Sequence, residues 1–243
     1  MAFPRNGGAA VECAVYPPLN IDGNAGIVLH LYGHGGSCRE YNIMRSPYAE
    51  ARRLLRERGY WLVVPDLGGS HWMNNAACKI LDSVIHGMIT AHGVNPDRVH
   101  ILGTSMGGGS GLAYVMRRPG RIRSICAVFP MTDFAQWVQE SPAYLQRIAE
   151  AHGVKLSEAT PVLRAISPLL HSASFADIPV LLMHGDSDSI VPVHHSRDFA
   201  AALKKQGSPV TYREVSGVGH DDAIAEPFQR EIVEFLTDEA NVR

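Results

Sequence analysis

Gly103-Thr104-Ser105-Met106-Gly107 is the stretch on which the reading of the whole chain turns. An apolar run, Val99-His100-Ile101-Leu102, precedes it, and a run of small residues from Gly108 to Ala113 follows. Together they predict a strand, a sharp turn and a helix, with Ser105 at the tip of the turn. The spacing Gly-x-Ser-x-Gly has a mechanical reason. The serine must hold a strained backbone conformation to lift its hydroxyl clear of the sheet edge. The glycines remove Cβ atoms that would collide where strand and helix pack this closely.

Working upstream, Gly26 to Tyr32 is an apolar run bounded by glycine, a buried strand that ends in the glycine-dense loop Tyr32-Gly33-His34-Gly35-Gly36-Ser37. Residues 47–58 predict a helix, with Pro47 suited to its first turn and Gly59 as its stop. Trp61-Leu62-Val63-Val64 predicts a strand closed by Pro65-Asp66-Leu67-Gly68-Gly69. Residues 76–92 predict a helix, because Ile80, Val84, Met88 and Ile89 recur at helical spacing. Nearer the N-terminus, Val11 to Tyr16 reads as a short strand stopped by Pro17-Pro18.

Working downstream, Ser124 to Phe129 predicts a strand. Residues 131–175 then hold aromatics, prolines at 142, 161 and 168, a mixed helical pattern and no clear strand, the composition of an inserted helical cap. The alternation resumes with a strand at 180–183, a helix at 193–205, a strand at 210–215 and a helix at 222–236. Strands buried on both faces and separated by helices imply a mostly parallel sheet in a single α/β domain, residues 1–243, with the cap inserted at about 131–175.

Composition narrows the function classes. The chain has 243 residues, of which 46% are hydrophobic and 19% charged, and a formal charge of −2. Without a basic or acidic run, neither nucleic acid nor an anionic membrane surface is expected as main partner. No apolar run approaches a transmembrane length, and the N-terminus shows no apolar leader. Cys13, Cys38, Cys78 and Cys126 are scattered, without CxxC spacing, which fits free thiols in a reducing cytoplasm. A cytoplasmic location is therefore the expectation, and a homodimer is compatible with this composition.

A serine hydroxyl is a poor nucleophile alone; it needs a base, and the base needs an orienting partner. In a parallel sheet both must come from loops at the carboxyl ends of strands. Two later strand ends supply candidates. His184-Gly185-Asp186-Ser187-Asp188 carries two carboxylates, and Gly217-Val218-Gly219-His220 carries one histidine. The chain order is Ser, Asp, His.

On these residues the chain resembles the α/β-hydrolases. It is most similar to esterases related to the catalytic domain of prolyl oligopeptidase, from the strand at Gly26 to the last helix. Gly-Thr-Ser-Met-Gly at 103–107, His-Gly-Asp-Ser-Asp-Ser-Ile-Val-Pro at 184–192, Gly-Val-Gly-His at 217–220 and Ser-Pro-Leu at 167–169 carry the likeness. The resemblance implies an α/β-hydrolase fold: a mostly parallel central sheet flanked by helices, with a short helical cap. It implies Ser105 as nucleophile, His220 as general base and Asp188 as the acid, three residues before the Val-Pro pair. Asp186 is the rival, with a loop-shaping role as its alternative, and Asp133 occupies another position that some relatives use. The resemblance also places the oxyanion hole at the amides of Met106 and His34. A shifted register would use Gly36 instead, and Tyr32 could offer its hydroxyl.

The implied reaction is two-step acyl transfer on carboxylic esters with small or medium groups. A peptidase, an acyltransferase, a thioesterase and an inactive binding protein on the same fold are the alternatives. Trp72, Trp137 and Tyr144 are candidate walls of the substrate pocket. No arginine pair is placed to bind a peptide terminus and no propeller repeat precedes the domain, so small esters are favoured over peptides. Neither a metal nor another cofactor is expected. His184, Asp186, Asp188, His194 and His195 cluster in sequence, but no HExxH motif appears, and adjacent helical residues such as His194 and His195 should point apart. Gly107-Gly108-Gly109 lacks the Lys-Ser/Thr of a phosphate loop. His30 reads as a core residue.

Overall fold

A computed structural model describes residues 2–5, 8–20, 23–39 and 47–238. Eight strands form one sheet in the order β1-β2-β4-β3-β5-β6-β7-β8. They are β1 (Ala2–Arg5), β2 (Gly8–Tyr16), β3 (Gly26–Leu31), β4 (Tyr60–Pro65), β5 (Val99–Thr104), β6 (Ser124–Val128), β7 (Val180–Gly185) and β8 (Val210–Val215). From β4 to β8 every neighbour is parallel; β2 joins β4, and β1 joins β2, antiparallel. The short strand β1 was not read from the sequence.

Every residue of β3 to β7 is buried, because helices cover both faces of these strands, whereas the edge strand β8 is partly exposed. The two-residue period of a strand divides the apolar side chains. Val28, Leu62, Leu102, Cys126 and Leu181 face a core closed by α1 (Ala49–Glu57) and α8 (Gln229–Thr237). Ile27, Leu29, Val63, Ile101, Ile125 and Leu182 face the larger core, which receives α2 (Asn75–His92), α3 (Met106–Arg117) and α7 (His194–Lys205). Between β6 and β7 lie α4 (Phe134–Glu140), α5 (Leu145–His152) and α6 (Ala159–Ala165), joined by 3-10 turns and without a strand. Phe134, Trp137, Ile148 and Leu163 seat this insertion on the larger core.

The segment 222–236, read as one helix, is two pieces. A 3-10 helix over Asp222–Phe228 contains Pro227, and α8 begins only after it. Proline has no N–H to donate and restricts the residue before it, so a regular helix starts beyond it.

Sheet order positions the site. The chain passes from β3 to β4 on one side, then crosses back so that β5 pairs with the other side of β3. The loops leaving β3 and β5 therefore meet at the point where winding reverses, which is where parallel sheets open a crevice.

Candidate active site

The turn after β5 is as tight as its glycines suggest. Ser105 has φ 54 and ψ −120, a left-handed conformation that costs an L-residue on the order of 1–3 kcal/mol. It is held there from both sides. The Ser105 amide donates to the Val128 carbonyl of β6 at 2.9 Å, and its carbonyl accepts from the Gly109 amide at 3.0 Å. A Cβ at Gly103 would lie 2.5 Å from the Gly107 carbonyl oxygen, and one at Gly107 would overlap the Leu31 carbonyl. The glycines are thus required by backbone contact with α3 and β3.

The loops after β7 and β8 meet by the same device. A Cβ at Gly185 would overlap the Val218 carbonyl, so only glycine lets these loops touch. Backbone bonds then lock them, Asp186 N–H to Val215 O and Ser187 N–H to Val218 O, both 3.0 Å. The result is one hydrogen-bonded row. Ser105 Oγ lies 2.9 Å from His220 Nε2, and His220 Nδ1 lies 2.7 Å from Asp188 Oδ2.

Protonation states along the row follow from the surroundings. Burial alone would raise the Asp188 carboxyl. Hydrogen bonds from His184 and His220 and from the Val191 amide outweigh that and hold it well below the usual carboxylate range. Its Oδ1 accepts from the Ile190 and Val191 amides, both at 2.9 Å. An ionised carboxylate only accepts, so the proton between Asp188 and His220 belongs to His220 Nδ1. Nε2 then presents its lone pair to the Ser105 hydroxyl.

His184 is a residue whose part the sequence reading left unassigned. It is fully buried, with Nε2 2.8 Å from the Val191 carbonyl and 3.4 Å from Asp188 Oδ2, and Nδ1 2.7 Å from Ser196 Oγ. The carbonyl fixes the proton on Nε2, so the ring leans a donor toward Asp188 Oδ2, the same oxygen that His220 bonds. A histidine on the penultimate residue of β7, four before the carboxylate, was the signal.

The rival carboxylates have other work. Asp186 accepts from the Gly217 amide at 2.7 Å and from the hydroxyls of Ser187 and Ser216, both at 2.9 Å, which ties the two loops together. Asp133 caps α4, accepting from the amides of Ala135 at 2.9 Å and Gln136 at 3.1 Å. Neither is bonded to His220.

Gly33 lies against Ser105, since a Cβ there would be 3.6 Å from that of the serine. In the loop that follows, the Gly35 amide is committed to Gly69 O at 2.6 Å and the Gly36 amide to Gly33 O at 3.2 Å. The alternative donor Gly36 is therefore spent. Tyr32 is corrected too: its hydroxyl is buried, donates to Asp66 Oδ1 at 3.1 Å and accepts from the Leu67 amide at 2.8 Å. It braces the loop after β4 and is not free to face the serine. Met106 opens α3, where the first amides have no partner within the helix.

A cavity of about 510 Å³ opens in front of Ser105 and His220. Trp72, Trp137 and Tyr144 line it, together with His34 and Phe129. The rings form a continuous wall: His34 stacks on Trp72 at 5.4 Å, Trp72 meets Trp137 at 5.6 Å, and Trp137 meets Tyr144 at 4.6 Å. Trp72 and Trp137 are each only 1% exposed, so they belong to the core as well as to the pocket. Trp137 also ties the cap to the acid loop, its Nε1 donating to Ile190 O at 2.9 Å. Phe129 backs His220 at 4.3 Å between ring centres. Among the described residues, four that are not glycine have positive φ: Trp72, Met73, Ser105 and Phe129. Three of them line this cavity.

The expected divergence of His194 and His195 is corrected. Their rings stack at 4.6 Å, and their Nε2 atoms lie 3.0 and 3.1 Å from the two oxygens of Glu140. They open α7, where no preceding turn blocks the rotamers that swing both rings toward one carboxylate. The Asp133 amide points at His195 Nδ1 from 3.4 Å, which leaves Nε2 as donor to Glu140, a strap between α4 and α7. His30 is buried in β3, edge-on to Tyr48. Among the described residues no helix is long and apolar enough to cross a membrane.

Solved structures share this architecture. A puromycin-hydrolysing peptidase of Mycobacterium tuberculosis is 17% identical, with a TM-score of 0.77 over 97% of this chain and 39% of that one. An acylaminoacyl peptidase of Pyrococcus horikoshii is 15% identical, with a TM-score of 0.75 over 97% and 40%. An S-formylglutathione hydrolase of Agrobacterium tumefaciens is 18% identical, with a TM-score of 0.75 over 93% and 89%. The chain thus spans about two fifths of the peptidases and most of the S-formylglutathione hydrolase. At these identities the likeness establishes the fold, that of the α/β-hydrolases. Over 47 residues, 19% of the chain, the sequence is 49% identical to an uncharacterized secreted protein of Arthroderma benhamiae, of which that stretch is 5%. Residues 48–241 match the prolyl oligopeptidase family, and the chain belongs to that family.

Proposed function

We propose that this chain is a serine hydrolase that cleaves carboxylic esters with small or medium acyl and alcohol groups. The observation that carries the reading is the row from Ser105 Oγ through His220 to Asp188, at 2.9 and 2.7 Å, facing an aromatic cavity. In this reading Ser105 Oγ attacks the ester carbonyl while His220 Nε2 takes its proton. Asp188 stabilises the imidazolium that results. The amides of Met106 and His34 receive the oxyanion, each worth about 3 kcal/mol. The carbonyl reforms, the alcohol leaves with the proton from His220, and an acyl-enzyme remains. Water, deprotonated by the same imidazole, releases the acid.

The test is a panel of p-nitrophenyl esters of increasing acyl length against wild type and Ser105→Ala, with labelling of Ser105 by a fluorophosphonate. Turnover and labelling in wild type, both absent in the variant, support the reading; full activity in the variant sinks it. The match to a family of peptidases favours peptide hydrolysis as the second reading. A higher kcat/KM on aminoacyl p-nitroanilides than on esters would select it.

A further inference from the structure

We infer that Arg147 is a specificity-determining residue, and that the preferred ester carries a carboxylate beyond the scissile bond. This rests on the ester-hydrolase reading above. Arg147 lies on α5, one turn after Tyr144. Its guanidinium stands over the Tyr144 ring, 5.7 Å from the centroid, and Nη1 donates to His34 Nε2 at 3.2 Å. His34 and Tyr144 both line the cavity in front of Ser105. A cation–π contact and a hydrogen bond thus draw this side chain to the lip of the pocket.

Among the described residues Arg147 forms no ion pair. Glu150, the acid at i+3 on the same helix, accepts instead from the Gln146 amide at 2.8 Å. The partner Arg147 does have is uncharged: burial, then the guanidinium itself, hold His34 below its ordinary pKa. Acids on the cavity wall, Asp221 and Asp222, adjoin His220, and Asp221 accepts from the Ala223 amide at 2.9 Å. The cavity is therefore negative toward His220 and positive toward the cap.

A guanidinium is a planar fork of donors, and one arm is used on His34; the rest suits a carboxylate. The rings of Trp72, Trp137 and Tyr144 line the same cavity as Ser105, and Arg147 stands over one of them; they suit methylenes or an aryl spacer. The ligand class is an ester with an apolar spacer and a terminal carboxylate, on either its acyl group or its leaving alcohol.

Two matched pairs separate those sources. The first is mono-p-nitrophenyl adipate against p-nitrophenyl hexanoate, and the second is 4-acetoxybenzoate against its methyl ester. In wild type the anionic member of at least one pair should lead in kcat/KM by about tenfold, and Arg147→Gln should erase that lead. No lead in either pair, or an equal loss on both members in Arg147→Gln, overturns the inference; the equal loss would mean that Arg147 acts only by holding His34. A readout without turnover keeps the two proposals apart. Tryptophan fluorescence of Ser105→Ala should report tighter binding of monohexyl adipate than of hexyl methyl adipate, by about tenfold, and Ser105→Ala/Arg147→Gln should lose the difference. That result with no esterase activity in wild type would remove the hydrolase reading and keep the carboxylate site. Ester turnover with no anion preference in rate or binding would do the reverse.

Discussion

The strand-end turns and the helical cap build opposite walls of one cavity by different means. Ser105, Asp188 and His220 are placed by backbone: carbonyls of β6 and β3, glycines that allow main chains to touch, and amides that grip Asp188. Trp72, from the loop after β4, joins Trp137 and Tyr144 of the cap side chain against side chain, with one bond from Trp72 to Ser70 and one from Trp137 to Ile190. A wall fixed by backbone tolerates no change in geometry and holds the chemistry. A wall fixed by packing can be rebuilt ring by ring, and it shapes the substrate. Substitutions on the first should therefore move kcat at nearly constant stability, and substitutions on the second should move KM and stability together.

The sharpest contrast is at Ser105. Ser105→Ala should lower kcat by about 10⁵–10⁶-fold while the thermal midpoint stays level or rises, since Oγ bonds only to His220 among the described residues. Asp188→Asn keeps the shape but lets an amide face His220 Nδ1, which disfavours the tautomer that accepts from serine. A drop in kcat of about 10⁴-fold is expected, and a loss under tenfold would mean that another group orients the imidazole.

Acid should weaken the whole molecule next. His71 and His100 are held neutral with pKa values of about 3, chiefly by burial, and burial lowers His195 in the cap strap as well, against the pull of Glu140. Unfolding returns them to about 6.5, so below that pH the unfolded chain binds more protons and stability falls as pH falls. His71 and His100 should each remove about 2 kcal/mol between pH 7 and pH 5, read as a shift in the urea midpoint, and His195 acts in the same direction. Asp188, depressed in the fold, adds its own loss as pH falls from the usual carboxylate range toward its lowered value.

Smaller effects divide the walls further. Trp137→Ala removes a buried ring and the bond to Ile190. KM should rise about tenfold with kcat little changed, and stability should fall by about 3 kcal/mol. If kcat fell a hundredfold instead, the cap would be positioning the acid loop. Asp186→Ala loosens the contact between the two loops and should cost about threefold in kcat/KM.

Much of the first wall was legible because backbone constraints leave marks in sequence. Gly103, Gly107 and Gly185 stand where a Cβ meets a carbonyl, and no other residue fits. The choice of Asp188 over Asp186 needed the family pattern, since two carboxylates two residues apart on one loop look alike. The cap was legible only as aromatic and helical. Which rings meet depends on how α4 and α5 lie on the sheet, and no local period encodes that. The strap of His194 and His195 on Glu140 was misread for the same reason: the rotamers at a helix start are set by what stands opposite.

By itself the sequence determined the alternation of strands and helices, the serine turn and the three loops that could supply a nucleophile, a base and an acid, because these depend on periodicity and on where glycine is obligatory. Tertiary structure alone decided that His184 braces Asp188 and that Tyr32 turns away to Asp66. It alone set Arg147 at the lip of the pocket beside His34, 113 residues away in the chain. Those are contacts between distant segments, and only the packing of the sheet order brings such segments within a bond length of each other.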